Sequence, residues 1–230
     1  MSAVEHPVPT PDVARQVFGD QVDRAAEFVS LLVERGVARG VIGPREIDRL
    51  WDRHLFNSAV LSELIPNGAR VIDVGSGGGF PGIPLAIARP DVDVVLLEPM
   101  ARRIDWLHEV VDRLELSKVT VVRGRAEEKA TRKEVGAADV VTARAVAPLG
   151  KLARWCLPLV QPDGVLLALK GDSAAEEIER DAALIRSAGG IDPAGVRCGE
   201  GVVERPTTVV CVRKGARVDR SQGQFGRRRP

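Results

Sequence analysis

Cysteine and aromatic residues are scarce in this chain of 230 residues. Aromatic side chains make up only 3% of it, and tyrosine is absent. The three cysteines, Cys156, Cys198 and Cys211, are odd in number and lack CxxC spacing, so neither a disulfide framework nor a zinc site is indicated. We therefore expect a protein of a reducing compartment that holds no metal.

Long apolar runs are missing as well. No stretch approaches the roughly 18 apolar residues that a membrane-spanning helix needs. The N-terminus, with Pro7, Pro9 and Pro11, has no basic-then-apolar signal pattern. We therefore expect a soluble cytoplasmic protein that has no membrane partner.

A large excess of one charge is also lacking, because the formal net charge is +1. The balance conceals a skew, since basic residues concentrate between Arg213 and Arg229, where Asp219 is the single acid. A basic tail either binds an anionic polymer or is simply solvated, and both interpretations stay open for residues 215–230. With 44% hydrophobic residues, the chain can bury one good core and carry a short appendage.

The most informative stretch is residues 69–82, where an apolar run that carries Asp73 ends in a glycine-rich loop. Four of the five residues in Gly75–Gly79 are glycine, so the backbone can adopt positive φ angles and a ligand can approach it closely. Gly77-x-Gly79-x-x-Gly82 fits a dinucleotide-binding pattern, which alone is weak evidence. Asp73 favours another cofactor, because its carboxylate opposes the pyrophosphate of NAD but suits the ammonium and sulfonium of S-adenosylmethionine.

A second carboxylate follows the next apolar run. Residues 92–97 lead directly into Glu98, which lies 19 residues after Gly79. A carboxylate at the tip of a second parallel strand can accept hydrogen bonds from both ribose hydroxyls of a nucleotide cofactor. The alternative is an ordinary α/β domain with a tight turn and a solvated glutamate.

The hydrophobic pattern predicts an α/β fold with an N-terminal helical part. Helices are predicted over residues 12–35 and 44–64. From residue 70 onwards strands and helices alternate, which implies a mostly parallel sheet with helices on both faces, an α/β fold of Rossmann-like type. The predicted strands are 70–74, 92–97, 119–122, 139–142 and 165–169, and the predicted helices are 83–88, 102–114, 149–160 and 174–186.

The last third of the sequence is predicted to be less regular. A glycine-rich connector is expected after residue 186, and the β-branched run 207–212 is expected to pair antiparallel at the sheet edge. The predicted organisation is a helical extension over 1–65, a Rossmann-like domain over 66–214 and a basic tail over 215–230.

Ligands collect at the carboxyl ends of strands in an open α/β sheet, so residues at strand ends are candidate site residues. Ala126 and Glu127 follow the third strand and could reach an adenine, although a capping box explains Glu127 equally well. Arg144 ends the fourth strand and faces the predicted methyl-transfer centre, with a surface ion pair as the alternative. Lys170 ends the fifth strand, where it could grip a phosphate or base or merely extend into solvent.

Missing motifs narrow the choice of methyl acceptor. The chain lacks the Asn-Pro-Pro-Tyr type of motif that supports methylation of an exocyclic amine. Methylation of cytosine C5 needs a thiolate nucleophile near the cofactor, and none of the three cysteines follows a strand end in a Pro-Cys turn. Guanine N7 needs alignment rather than a general base, because its in-plane lone pair is already nucleophilic. Arg144 and Lys170 can donate hydrogen bonds to guanine O6 and to phosphates.

Several segments together resemble a known family. They are Asp73-Val-Gly-Ser-Gly-Gly-Gly-Phe-Pro-Gly-Ile-Pro-Leu85, Leu97-Glu98, Gly124-Arg-Ala-Glu-Glu128, Arg144-Ala145 and Leu169-Lys-Gly171. From about Trp51 to Val212 the chain resembles the RsmG (GidB) family of bacterial small-subunit rRNA methyltransferases. The Phe-Pro-Gly-Ile-Pro continuation of the glycine loop is the most specific part of the resemblance.

The resemblance implies methylation of N7 of guanosine 527 in 16S rRNA. It implies cofactor contacts at Gly75, Phe80, Ala126, Glu127 and Arg144. Lys170 and Arg125 match basic positions of the family that meet RNA or the target base.

An upstream segment matches the family less completely. His54-Leu-Phe-Asn57-Ser58 resembles a His-x-x-Asp-Ser segment of the family, with Asn in place of Asp. A packed histidine on a helix explains His54 equally well.

The resulting hypothesis is an S-adenosylmethionine-dependent enzyme whose partner is 16S rRNA or the small ribosomal subunit. Asp73 and the glycine loop, at Gly75, Gly77 and Gly79, are expected to hold the methionine moiety, and Glu98 the ribose. The expected catalytic residues are Arg144 and Lys170, which position guanine and phosphate. Two alternatives stay open: a methyltransferase for another RNA base or a small molecule, and a non-catalytic ribosome-binding module that keeps the cofactor fold. No oligomer is indicated.

Overall fold

A computed structural model describes residues 8–215 of the chain. Nearly all of the predicted basic tail, residues 216–230, lies outside the described residues, as do residues 1–7. No helix in the described part of the chain is both long enough and apolar enough to cross a membrane.

A seven-stranded sheet, with the strand order β3-β2-β1-β4-β5-β7-β6, forms the centre of the described part of the molecule. Its strands are β1 Arg70–Val74, β2 Asp93–Glu98, β3 Val119–Arg123, β4 Ala138–Arg144, β5 Val160–Lys170, β6 Gly190–Cys198 and β7 Thr207–Lys214. Strands β1 to β5 pair in parallel, whereas β7 is antiparallel to both β5 and β6. The predicted mostly parallel sheet of a Rossmann-like fold is confirmed.

Helices cover both faces of this sheet. They are α1 Val13–Phe18, α2 Val22–Leu31, α3 Asn57–Ala59, α4 Gly82–Ala88, α5 Ala101–Arg113, α6 Lys129–Val135, α7 Leu149–Cys156 and α8 Ala174–Ser187. Alternation along each strand decides which helices a side chain meets. Val71 packs with α4, α5 and the N-terminal helices, whereas Ile72 packs on the other face with α6, α7 and α8.

The order of the last strands differs from the prediction. The segment predicted as a glycine-rich connector forms β6, the edge strand, and β7 lies between β5 and β6 rather than at the edge. Strand β6 contains Pro193 and two glycines, and its register shifts between Ile191 and Ala194. An edge strand pairs with a neighbour on one side only, so it tolerates proline and a bulge. A segment with the composition of a loop can therefore form the edge strand β6.

The N-terminal part is helical, as predicted, but its helices are interrupted. A 3-10 turn over Gly19–Gln21 separates α1 from α2, and 3-10 and π-helical turns flank α3 between Pro44 and Leu64. Aromatic rings attach this part to the rest of the molecule, because the rings of Phe28 and Phe80 lie 5.5 Å apart. The His54 ring lies 5.1 Å from the same Phe80 ring, which holds the segment around residues 46–54 beside the loop after β1.

Candidate active site

A cleft of about 610 Å³ opens at the carboxyl edge of the sheet. Its walls come from the loop after β1, the ends of β2, β3 and β4, and the N-terminal part. The lining includes Val41, Ile42, Gly43, Glu46, His54, Gly75, Ser76, Gly77, Gly78, Phe80, Glu98, Met100, Arg103, Arg125, Ala126, Glu127, Arg144 and Trp155. Most of the residues predicted for the site therefore meet in one cavity.

Glycine is required in the loop by its backbone conformation. Gly75, Gly77 and Gly79 have φ angles of +73°, +59° and +106°, which side chains other than glycine rarely tolerate. A Cβ atom on Gly75 would also lie 2.8 Å from Val146 Cγ2. The loop therefore presents bare backbone to the cleft at Gly75 and Gly77, whereas Gly79 is buried and is not part of the lining.

Glu98 connects the end of β2 to this loop. Its carboxylate is buried and accepts hydrogen bonds from the Gly77 amide at 2.9 Å and the Met100 amide at 3.0 Å. Arg103 Nη1 lies 3.7 Å from the same carboxylate, and the buried Arg103 Nε finds no hydrogen-bond partner among residues 8–215. An acceptor with spare lone pairs and an unsatisfied donor thus lie side by side in the cleft wall.

Asp73 occupies a different place from the predicted one. Because it is two residues after Val71, its side chain points to the same face of the sheet and lies beneath the loop, so it is not among the residues that line the cleft. Asp73 Oδ2 accepts from the Gly82 amide at 3.0 Å, and Thr142 Oγ1 donates to Oδ1 at 3.3 Å. Burial raises the pKa of this carboxyl to about 6.

Arg144 is held by three contacts with the part of the chain before residue 81. Its Nη1 donates to the backbone carbonyl of Arg53 at 3.2 Å, its Nη2 lies 2.9 Å from His54 Nδ1, and its guanidinium lies 4.8 Å from the centre of the Phe80 ring. Within the described residues no carboxylate forms an ion pair with Arg144, which contradicts the surface ion pair considered above. Burial lowers the pKa of this guanidinium to about 10.

His54 links Arg144 to a carboxylate on its other side. His54 Nε2 lies 2.8 Å from Glu46 Oε2. Because a guanidinium only donates, Nδ1 must accept from Arg144, and Nε2 then carries the proton that it donates to Glu46. This neutral form agrees with burial, which lowers the pKa of His54 below its ordinary value. His54 is therefore packed, as one interpretation had it, and it also lines the cleft.

Lys170 does not reach the cleft. Its Nζ donates to the Ala147 carbonyl and to Glu177 Oε2, each at 2.9 Å, and the Lys170 and Glu177 side chains are both 12% exposed. The expectation that Lys170 lies beside the cofactor is therefore wrong, because Glu177, in the first turn of α8, and the Ala147 carbonyl, in the loop after β4, hold the ammonium outside the cleft. Lys170 lines a second cavity instead.

The residues after β3 do border the cleft. Ala126 is buried and Glu127 is exposed, and Arg125, with 60% of its side chain exposed, lies at the rim. The residue that precedes α6 is Glu128, and no side-chain cap bond forms there, so the structure does not support a capping box for Glu127.

Sequence reasoning missed several residues of the cleft. Arg103, in the first turn of α5, follows Glu98 by five positions, a spacing that could have suggested it. Glu46 and residues 41–43 belong to the N-terminal part and carry no recognisable motif. Trp155, on α7, was missed because it is the only aromatic residue on an otherwise ordinary amphipathic helix.

Comparisons with a family model and with individual known sequences agree on one family. The family model GidB, described as rRNA small subunit methyltransferase G, matches residues 21–205. Proteins named "Ribosomal RNA small subunit methyltransferase G" are similar along most of the chain. The one from Salinispora arenicola is 57% identical, covering 90% of this chain and 88% of its own. The one from Corynebacterium glutamicum is 53% identical, covering 89% and 92%.

Comparison with solved structures agrees on the fold. Aeropyrum pernix fibrillarin, solved with natively bound S-adenosyl-L-methionine, is 16% identical with a TM-score of 0.52, covering 70% of this chain and 74% of its own. The mitomycin 7-O-methyltransferase MmcR is 18% identical with a TM-score of 0.55, covering 92% and 74%. At these identities the likeness concerns the fold alone.

Proposed function

The chain belongs to the GidB family of small-subunit rRNA methyltransferases, and we propose that it methylates N7 of guanosine 527 in 16S rRNA. It is an S-adenosylmethionine-dependent methyltransferase by family. The observation that carries the proposal is one cleft whose lining combines the glycine loop, Glu98 and the half-buried Arg144, which is held in place by its contacts.

The cleft fits the cofactor in size and chemistry. Its volume of about 610 Å³ is in the usual range for small-molecule sites. The bare backbone at Gly75 and Gly77 would hold the methionine moiety, Glu98 the ribose, and Ala126 with Glu127 the adenine. Asp73 would act from beneath the loop through the field of its charge, and the unsatisfied Arg103 Nε offers a donor to the methionine carboxylate or the ribose.

The chemistry makes few demands on acid or base groups. When bound, S-adenosylmethionine would supply a methyl group on a sulfonium: the lone pair of an in-plane ring nitrogen forms the N–C bond as the C–S bond breaks, S-adenosylhomocysteine leaves, and the nitrogen has no proton to lose. The task of the protein is therefore to orient the guanine and exclude water. Arg144 suits the first task, because its contacts with Arg53, His54 and Phe80 fix the guanidinium before RNA arrives, and its remaining N–H groups can donate to guanine O6.

The finer points of partner and organisation follow from the same proposal. Because the proposed substrate is 16S rRNA, either free or within the small subunit, we assign the protein to the cytoplasm. The helical extension predicted over residues 1–65 completes the cleft of the domain over 66–214 through its residues 41–54. Arg125 at the rim contacts RNA, whereas Lys170 keeps a supporting role through Glu177.

The direct test uses small ribosomal subunits from a strain that lacks the enzyme. Incubation with methyl-tritiated S-adenosylmethionine is expected to add one methyl group per 16S rRNA, and borohydride reduction followed by aniline cleavage is expected to cut at position 527. The Arg144→Ala variant should bind the cofactor but lose the methylation. Methylation of another base, or of none, would overturn the proposal, and the latter would favour the non-catalytic module.

A further inference from the structure

A second cavity, of about 620 Å³, lies beside the active-site cleft. It is lined by Arg49, Asp52, Arg53, Asn57, Lys170, Gly171, Asp172, Arg197, Glu204, Arg205, Pro206, Thr207 and Thr208. Five of these side chains are cationic and three are acidic, so the lining carries an excess of positive charge. We call this cavity the basic groove, and we propose that it binds the RNA strand next to the target guanosine; the inference rests on the proposed function.

The position of the basic groove suits that role. Arg53 lines it, whereas the next residue, His54, lines the active-site cleft, and the Arg53 carbonyl accepts a hydrogen bond from Arg144. On the sheet, Arg144 at the end of β4 is the register partner of Leu169, next to Lys170. The backbone at Arg53 and His54 therefore separates the two cavities. An RNA strand that places one base in the active-site cleft would have its neighbouring nucleotides over the basic groove.

The cations of the basic groove differ in how well they are already paired. Lys170 is neutralised by Glu177, whose side chain is 12% exposed. Arg53 and Arg197 make only exposed ion pairs, at 3.4 Å to Glu46 and 3.3 Å to Glu200, and pairs of this kind contribute little. Arg49 and Arg205 make no ion pair with any residue between 8 and 215. These arginines, rather than Lys170, are free to contact phosphates.

The acidic and hydroxyl groups of the groove point to nucleotides rather than to a simple polyanion. Asp52, Asp172 and Glu204 can accept from 2′-hydroxyls and exocyclic amines, while the half-buried Thr208 hydroxyl can donate to a phosphate. The floor is fixed as well, because Asn57 Nδ2 donates to Thr207 Oγ1 at 2.8 Å and joins the N-terminal part to β7. A rigid, mixed lining of this kind fits single-stranded RNA.

The experiment compares the double variant Arg49→Gln/Arg205→Gln with the control Arg186→Gln. Arg186 is an exposed arginine in the last turn of α8, near the opposite, amino edge of the sheet. Binding of a 16S rRNA fragment that contains guanosine 527, and of intact small subunits, is measured over a range of salt concentrations, together with calorimetric binding of S-adenosylmethionine. Thermal unfolding checks that each variant is folded.

The double variant is expected to bind the fragment at least tenfold more weakly, with a salt slope smaller by about 1.4, the value for two lost phosphate contacts on a single strand. The cofactor affinity of the double variant is expected to equal that of the wild type. The control variant is expected to equal the wild type in RNA affinity, salt slope and cofactor affinity. Equal binding and slope, or an equal loss in Arg186→Gln, would overturn the inference. A loss with intact subunits but not with the fragment would indicate a ribosomal protein and would overturn it too. Because binding is measured rather than methylation, failure of the proposed target base is distinguishable from failure of the groove.

Discussion

Replacing Asp73 by asparagine separates the effect of this carboxylate on the stability of the fold from its effect on cofactor binding. The carboxyl is fully buried beneath the glycine loop, and burial raises its pKa from 3.8 to about 6. Asparagine has nearly the same shape but does not ionise. Asp73→Asn therefore removes the cost of burying a charge while it keeps an acceptor for the Gly82 amide.

The magnitude follows from the pKa of this group in the folded and unfolded chain. A rise of about 2 units corresponds to about 3 kcal/mol of unfolding free energy. The stabilising contribution is complete below pH 3.8, where the carboxyl is protonated in both states, and it is lost as the pH rises through about 6. Since the asparagine variant escapes this loss, its stability relative to wild type should increase by about 1.5 kcal/mol between about pH 5 and about pH 7.5.

Urea unfolding across that pH range measures the difference directly. Asp93→Asn, at the exposed start of β2, controls for the change from acid to amide. A stability difference between Asp73→Asn and wild type that does not vary with pH would refute the reasoning. In calorimetry, Asp73→Asn should bind S-adenosylmethionine at least tenfold more weakly, about 1.4 kcal/mol, because the cationic cofactor loses the field of the carboxylate. Unchanged affinity would remove Asp73 from the cofactor site.

Three further predictions concern packing, positioning and the tail. A Cβ atom on Gly82 would overlap the Leu96 side chain, so Gly82→Ala should lower the unfolding free energy by about 1–3 kcal/mol in urea titrations, and unchanged stability would contradict the packing described. His54→Leu should free Arg144 and reduce kcat for methylation of small subunits about tenfold at unchanged cofactor affinity. His54→Gln, which keeps a hydrogen-bond acceptor for Arg144, should restore part of kcat; an equal loss of kcat in both variants would indicate that His54 contributes packing alone. Deleting residues 217–230 should weaken RNA binding and flatten its salt dependence without moving the methylated position, whereas equal constants and slopes would identify a merely solvated tail.

The sequence was most predictive where one motif carries its own geometry. Strand, glycine loop and following helix were all predictable at residues 70–88, because glycine in the left-handed region and alternating apolar residues leave few conformations. The acid at Glu98 was predictable for the same reason, since it ends a continuous apolar run. These features depend only on neighbours along the chain.

Features that depend on distant residues were not predictable. Arg144 was expected in the site, but the residues that hold it, Arg53 and His54, are 91 and 90 positions away and carry no pattern that indicates the contact. Lys170 was misplaced because its partner Glu177 belongs to a helix whose packing decides which way the ammonium turns. Strand β6 was missed because an edge strand can keep the glycine and proline of a loop.

The dependence of Arg144 on Arg53 and His54 has a consequence for synthesis. Residues 46–57 leave the ribosome early, yet their partners Arg144 and Thr207 are made 90 to 150 residues later. Thr207 begins strand β7, which lies inside the sheet between β5 and β6. The N-terminal part must therefore wait, incompletely packed, until nearly the whole described chain has emerged, so that its packing is complete only after β7 has been synthesised.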